Sequence, residues 1–265
     1  MKLVPSTVLA AIAVLSIATA ANAGNILIVN GAGETSEAGT TASITQQISQ
    51  LHIAVGNTVT VVDTTPISLV GYQQVWDIRF SNSSPIDAPL QAEYVSYLAS
   101  GGGIFAMGEN AFFGTRNDSV ISLIAAAGGG SLTYIVPGDN QTVIAPFTGP
   151  NAVSTLQYSV AGGLTTAGTG QFITSNDSGG SGVAFGVGTL ANAKAGALTA
   201  IFDVNFLQTD ANFESQQLTK NLIGFIGGQV DPGGTVPEPA SWALMITGFG
   251  LVGVSQRRRR VTFAA

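Results

Sequence analysis

Three residues of this 265-residue chain have types suited to chemistry: Glu109, Asp203 and Asn205. A pair of carboxylates can share general acid and base roles. With a neighbouring carboxamide, such a pair can also hold a cation or a sugar hydroxyl. Glu109 lies in Met107-Gly108-Glu109-Asn110, a turn that follows an apolar run. There it acts as a general base or ligand contact, or it satisfies backbone donors at the start of the next helix. Asp203 and Asn205 join it in a site, or they cap their own loop through Asx hydrogen bonds. Asp77 is a further carboxylate for metal- or water-assisted hydrolysis. Cysteine is absent, which excludes disulfides, thiolate metal sites and a cysteine nucleophile. The single histidine, His52, excludes a multi-histidine metal centre. It reads as a partly solvated helix residue. Gly31-Ala32-Gly33 lacks the third glycine of a dinucleotide fingerprint, because position 36 is Ser36, and Glu34 and Glu37 would repel phosphate. Ser175 to Gly180 lacks EF-hand spacing and reads as a polar hairpin turn. No cofactor and no metal site are expected.

These residues need elements to position them. NILIVN (25–30), TVTVVD (58–63), QVWDIRF (74–80), IFAM (104–107), Leu132 to Val136 and ALTAIF (197–202) read as strands. Between them, Ile44, Ile48, Leu51 and Val55 mark one amphipathic helix. Leu90, Tyr94 and Leu98 mark a second, capped by Asp87. Val120, Leu123 and Ile124 mark a third, over 117–127, and Leu218, Leu222 and Phe225 a closing one over 213–226. The alternation predicts an α/β fold, a flavodoxin-like parallel sheet with helices on both faces. A Gly-, Ser- and Thr-rich stretch at about 138–190 predicts a β-rich insertion. Ligands bind beyond the C-terminal ends of such strands. That places Asn30, Gly31, Asp63, Arg79, Gly108, Glu109, Asn110, Asp203 and Asn205 at the site, with Asn30, Arg79, Asn110 and Asn205 as the ligand-binding candidates.

Five of the nine basic residues lie at the extreme ends. Between Gly24 and Val236 there are four basic and fourteen acidic residues, a net charge of −10. Such a body repels nucleic acid. Lys2, the apolar run Val8 to Ala18 and the A-x-A site Ala21-Asn22-Ala23 form a signal peptide over 1–23, which implies the Sec translocon and signal peptidase as partners. At the other end stand Pro237-Glu238-Pro239, an apolar run from Ala240 to Gln256, and Arg257, Arg258, Arg259 and Arg260. As a helix that run spans ~25 Å, at the short limit for a transmembrane segment. Trp242 takes the place of an interfacial anchor, and the arginines stay cytoplasmic. Gly228 to Val236 reads as the linker.

The tail resembles the PEP-CTERM sorting signal on Pro237, Glu238, Pro239, Trp242, Gly248, Gly250, Gly253 and Arg257 to Arg260. The resemblance implies recognition by a membrane-embedded exosortase, cleavage near Pro-Glu-Pro, and release or attachment at a bacterial surface, often alongside exopolysaccharide. The inner membrane is then a transient station. The body, over 24–227, resembles class I glutamine-amidotransferase-like domains in YVSYLASGGGIFAMGEN and in GALTAIFDVNFLQTDANFESQQLTKNLIGFI. The matching positions of the second segment are Asp203, Asn205, Phe206, Leu218, Asn221, Leu222 and Ile223. That family keeps a cysteine nucleophile on the turn after the fourth strand, with histidine and glutamate partners. Here the turn holds Glu109 and no cysteine exists, so amidotransferase chemistry is excluded.

The expectation is an exported, exosortase-processed surface or matrix protein with a structural or binding role. The alternative is an extracellular carbohydrate-active or metal-assisted hydrolase using Glu109 and Asp203. A β-sandwich adhesin would have no helix at 41–55 or 213–226.

Overall fold

The structure, a computed structural model, describes residues 23–30, 41–207 and 213–230. The signal peptide (with Ala21), the Gly31-Ala32-Gly33 turn, residues 231–236 of the linker, the sorting residues 237–260 and the transmembrane segment 240–256 lie outside the described residues. No helix among the described residues is long and apolar enough to cross a membrane.

Four parallel pairings build the first half of the sheet. The strands are β1 (Asn25–Val29), β2 (Thr58–Val62), β3 (Gln74–Asp77), β4 (Gly103–Gly108) and β11 (Ala197–Phe202), in the order β2-β1-β3-β4-β11. β1, β4 and β11 are runs of apolar residues, nearly all buried, as strands covered on both faces must be. Their side chains alternate. Ile26, Ile28, Phe105, Met107 and Ile201 enter one core, while Leu27, Val29, Ile104, Ala106 and Leu198 enter the other.

Helices cover both faces. α1 (Thr41–Ala54) and α4 (Phe213–Gln229) pack on the first core through Ile44, Ile48, Leu218, Leu222 and Ile226. α2 (Ala88–Ala99) and α3 (Gly114–Ala127) pack on the second through Tyr94, Leu98, Val120, Leu123 and Ile124. Helices at 41–54 and 213–229 are incompatible with a β-sandwich adhesin. α2 begins where the Asp87 side chain accepts the Leu90 N–H at 3.0 Å. α3 ends at Gly128 with φ +92, where a Cβ would lie 2.7 Å from the Ala191 backbone nitrogen.

The sheet is mixed, which corrects the parallel-sheet expectation. The insertion extends the sheet past β11. β6 (Asn140–Val143), β7 (Thr155–Gln157), β9 (Gln171–Asn176) and β10 (Gly179–Phe185) continue it in the order β11-β10-β9-β6-β7, every pairing antiparallel. The physical reason is the connections. Two strands joined by a turn as short as Asp177-Ser178 can only run antiparallel, whereas parallel neighbours need a long crossover. That turn is the hairpin expected at 175–180, with Asn176 Oδ1 accepting the Ser178 N–H at 2.9 Å. The run at 132–136 is also not a fifth parallel strand. Only β5 (Tyr134–Ile135) forms there, paired with β8 (Gly163–Leu164) beside the main sheet. The fifth parallel position belongs to β11.

His52 is fully buried rather than partly solvated. Its ring stands edge-on to Trp76, with centroids 5.0 Å apart, and Trp76 in turn stacks on Phe105 at 4.4 Å. Burial lowers its pKa to about 3, so the ring is neutral.

Replacing Asp87 by Ala removes the α2 cap while touching no core residue. Urea denaturation should show a loss of about 1 kcal/mol.

Candidate functional site

The C-terminal ends of the parallel strands carry two clusters of buried polar groups. The first surrounds Asp77, the last residue of β3, which is fully buried. Arg79 grips it with Nε at 2.8 Å from Oδ1 and Nη2 at 2.6 Å from Oδ2. The Tyr94 hydroxyl, from α2, donates to Oδ2 at 3.0 Å. Arg116, from α3, places Nη2 3.3 Å from Oδ1. Arg116 is also fully buried, and its remaining nitrogens are anchored on backbone oxygens: Nε on Met107 at 2.8 Å and Nη1 on Ser84 at 2.9 Å. Burial alone would raise the Asp77 pKa. The charges of Arg116 and Arg79 outweigh it and hold the carboxyl at about 2.

The second cluster joins the ends of β4 and β11. Glu109 is fully buried, and both of its carboxylate oxygens accept backbone N–H groups: Oε1 from Asn110 at 2.8 Å and Oε2 from Val204 at 2.5 Å. The Asn117 carboxamide closes the turn, accepting from Glu109 N at 2.8 Å and donating to Asn110 O at 2.9 Å. Asn110 caps the short 3₁₀ turn Ala111–Phe113 by accepting from Phe112 N at 3.0 Å. Asp203 is fully buried beside Glu109. Its Oδ2 accepts from Ser159 N at 2.7 Å and its Oδ1 from Asn205 N at 2.8 Å. Burial raises the Asp203 pKa first, and the neighbouring Glu109 charge adds to it, giving about 8. Asp203 therefore holds a proton at neutral pH. Over this pair the backbone turns at Val160, with φ 59, flanked by Ser159 on Asp203 and by Ala161, whose N–H donates to Asp139 at 3.0 Å.

The sequence candidates thus fall in two places. Glu109, Asn110, Asp203 and Asn205 come together. Arg79 belongs to Asp77 instead. Asn30 follows β1 at the point where the strand order reverses, and its Oδ1 has no hydrogen-bond partner among the described residues. Ala23, at the expected cleavage site, is exposed, and Gly24 after it is buried. Arg116 and Tyr94 were not among the candidates. A signal for Arg116 was available: it precedes Val120, Leu123 and Ala127 by four, seven and eleven positions, which puts it on the inward stripe of α3. Among the described residues no group of three or more His, Asp or Glu side chains could hold a metal ion. The arrangement can store one proton between Glu109 and Asp203, and it leaves a net positive charge on the Asp77 triad.

Fold and site together define an α/β protein with a mixed sheet, whose turn after β4 carries a glutamate on backbone amides. Residues 235–260 match the PEP-CTERM protein-sorting motif, so the chain carries the signal of an exosortase-processed extracellular protein. Among solved structures, the mmIFT52 N-terminal domain is similar at 12% identity, with a TM-score of 0.54 over 76% of this chain and 96% of that one. A ThuA-like protein from Bacteroides uniformis is similar at 12% identity, with a TM-score of 0.51 over 80% of this chain and 96% of that one. At this identity the likeness is one of fold. A search of curated proteins finds no sequence match.

Replacing Arg116 by Met strands Asp77 with an uncompensated share of buried charge. Denaturant titration should show a loss of roughly 3–5 kcal/mol, and a smaller one for Arg79→Ala, whose side chain reaches solvent. The Asp203 shift sets a pH dependence of the opposite sign to the usual carboxylate. Its folded pKa of about 8 lies above the ordinary 3.8, so the folded state binds the extra proton between those values. Stability should fall as pH rises from about 4 to about 8, and Asp203→Asn should flatten that slope in chemical denaturation.

Proposed function

We propose that the chain is exported, cut by exosortase near Pro237-Glu238-Pro239, and delivered to the cell surface or matrix. There its body serves a structural or binding role. The observation that carries this reading is the motif match over 235–260. The signal peptide read from 1–23 and the acidic body are consistent with it, and so is a fold of the kind seen in a ThuA-like protein. A non-catalytic body is supported by the turn after β4. A nucleophile or base at this position needs a free, approachable atom. Both oxygens of Glu109 are instead occupied by backbone donors, as are both of Asp203. The hydrolase alternative therefore draws on the raised Asp203 pKa alone. Exopolysaccharide remains the proposed environment rather than a ligand with named contacts.

Deleting residues 237–260 should abolish surface delivery, read by surface labelling of an epitope-tagged chain. Undiminished delivery would overturn the sorting reading. Intact mass of the delivered form should place the two ends near Gly24 and the Pro-Glu-Pro motif.

A further inference from the structure

The two edges of the sheet are guarded unequally. β7 is three residues long, and Glu214 lines the same recess as its Thr155 and Gln157. Short length and a nearby charge are common guards of an edge strand. β2 has neither. It reads Thr-Val-Thr-Val-Val, with no charge and no proline. Its register with β1 runs without a bulge from Asn25↔Thr58 to Val29↔Val62. The Thr58 N–H donates to Gly24 O at 2.8 Å, and Val62 O accepts from Asn30 N at 3.0 Å. Thr58, Thr60 and Val62 therefore turn their backbone groups to β1, while Val59 and Val61 turn theirs outward. Among the described residues nothing pairs with that outer side, where the strand order ends. The flank that carries the edge is also uncharged. From Thr41 to Val62, through α1 and β2, there is no Asp, Glu, Lys or Arg, and His52 is neutral. Ile53, Val55 and Val61 are exposed on it. Free backbone groups edged by β-branched side chains suit an added strand.

We infer that β2 pairs antiparallel with β2 of a second copy, around a two-fold axis at Thr60, so that one sheet continues through two molecules. The strand is its own complement in this register. Val59 lies opposite Val61 of the second copy. Those are the residues whose backbone groups point outward, so each such pair exchanges both N–H···O bonds and no outward group of the strand is left over. Thr60 meets Thr60, and cross-strand Thr–Thr and β-branched pairs are favourable ones. The exposed Val61 is covered by the half-buried Val59. Charge selects the direction. Asp63, the first charge after the strand, comes opposite Asn57 in the antiparallel pairing, whereas a parallel in-register pairing would set it against itself. A body this acidic repels its own copy elsewhere, which leaves the uncharged flank as the surface on which two copies can meet. A ladder this short buries less than a tight dimer needs, so the pairing builds up with the density of the protein.

The absence of cysteine lets single cysteines report the pairing. The full chain is purified in detergent as Thr60→Cys and, separately, as Thr58→Cys, both exposed positions of β2. In the inferred pairing two Thr60 Cα atoms stand ~4.5 Å apart, within disulfide reach, and two Thr58 Cα atoms ~14 Å apart, beyond it. Mild oxidation at sub-millimolar protein should link Thr60→Cys chains about tenfold faster than Thr58→Cys chains. In the unsubstituted chain the amides of Val59 and Val61 should exchange with deuterium more slowly as concentration rises. Thr60→Lys sets two ammonium groups against each other at the axis. It should remove that concentration dependence and leave the thermal midpoint of dilute protein unchanged. Equal linking of the two cysteine variants is the mark of a parallel stack or of contact through the tail, and it sinks the inference. So does linking of neither, or exchange at Val59 and Val61 that ignores concentration. No exosortase enters the measurement, so its outcome and that of the delivery test stay separate.

Discussion

A carboxylate buried at a strand end must be neutralised where it sits, and Asp77 shows what that demands of a chain with few cations. Two of the four basic residues of the body converge on it. Arg79 arrives from two residues downstream. Arg116 arrives from α3 and carries backbone oxygens of β4 and of the segment before α2 with it. Tyr94 adds α2. One anion thereby ties β3, β4, α2 and α3 at a single point on the second core. Desolvating two full charges costs several kcal/mol per ion before pairing recovers it. The arrangement specifies which helix lies where more than it adds stability.

The second acidic cluster solves the neighbouring junction differently. Glu109 is met by amides from both strands it joins, β4 through Asn110 and β11 through Val204. Asp203 holds a proton instead. Amide donors and a retained proton are two ways of burying an acid. The turn after β4 is a fastener between two strands.

Much of this was legible in the sequence. Periodicity places the four α-helices of the described residues, because each has one apolar stripe, and α3 has a clear stop at Gly128. The Asp87 cap is readable as a residue type at a boundary. The direction of the insertion strands was less accessible. Runs at 154–160 and 171–174 look alike whether they pair within a separate lobe or extend the main sheet, since pairing partners leave no local mark. The Leu132 to Val136 run misleads for the same reason: its apolar content is real, but its partner is β8. Within the site, Glu109 and Asp203 stand out by type and position. Their fate depends on which amides face them, and Val204 N is 95 residues from Glu109. His52 looks like any polar helix residue until Trp76 is folded over it.

The central place of β11 has a consequence for an exported chain. β11 lies between β4 and the antiparallel half, so neither half of the sheet is complete without it. Its residues, 197–202, come late in the chain, and every pairing it makes with β4 is long-range, from Ala197↔Gly103 to Phe202↔Gly108. Loop closure of that length delivers nothing until the last strand arrives. Among the described strands β11 is the last in chain order, so the pairings that unite the two halves need every other strand to precede it. The join between the two halves of the sheet is thus the last of its pairings to become possible as the chain is made.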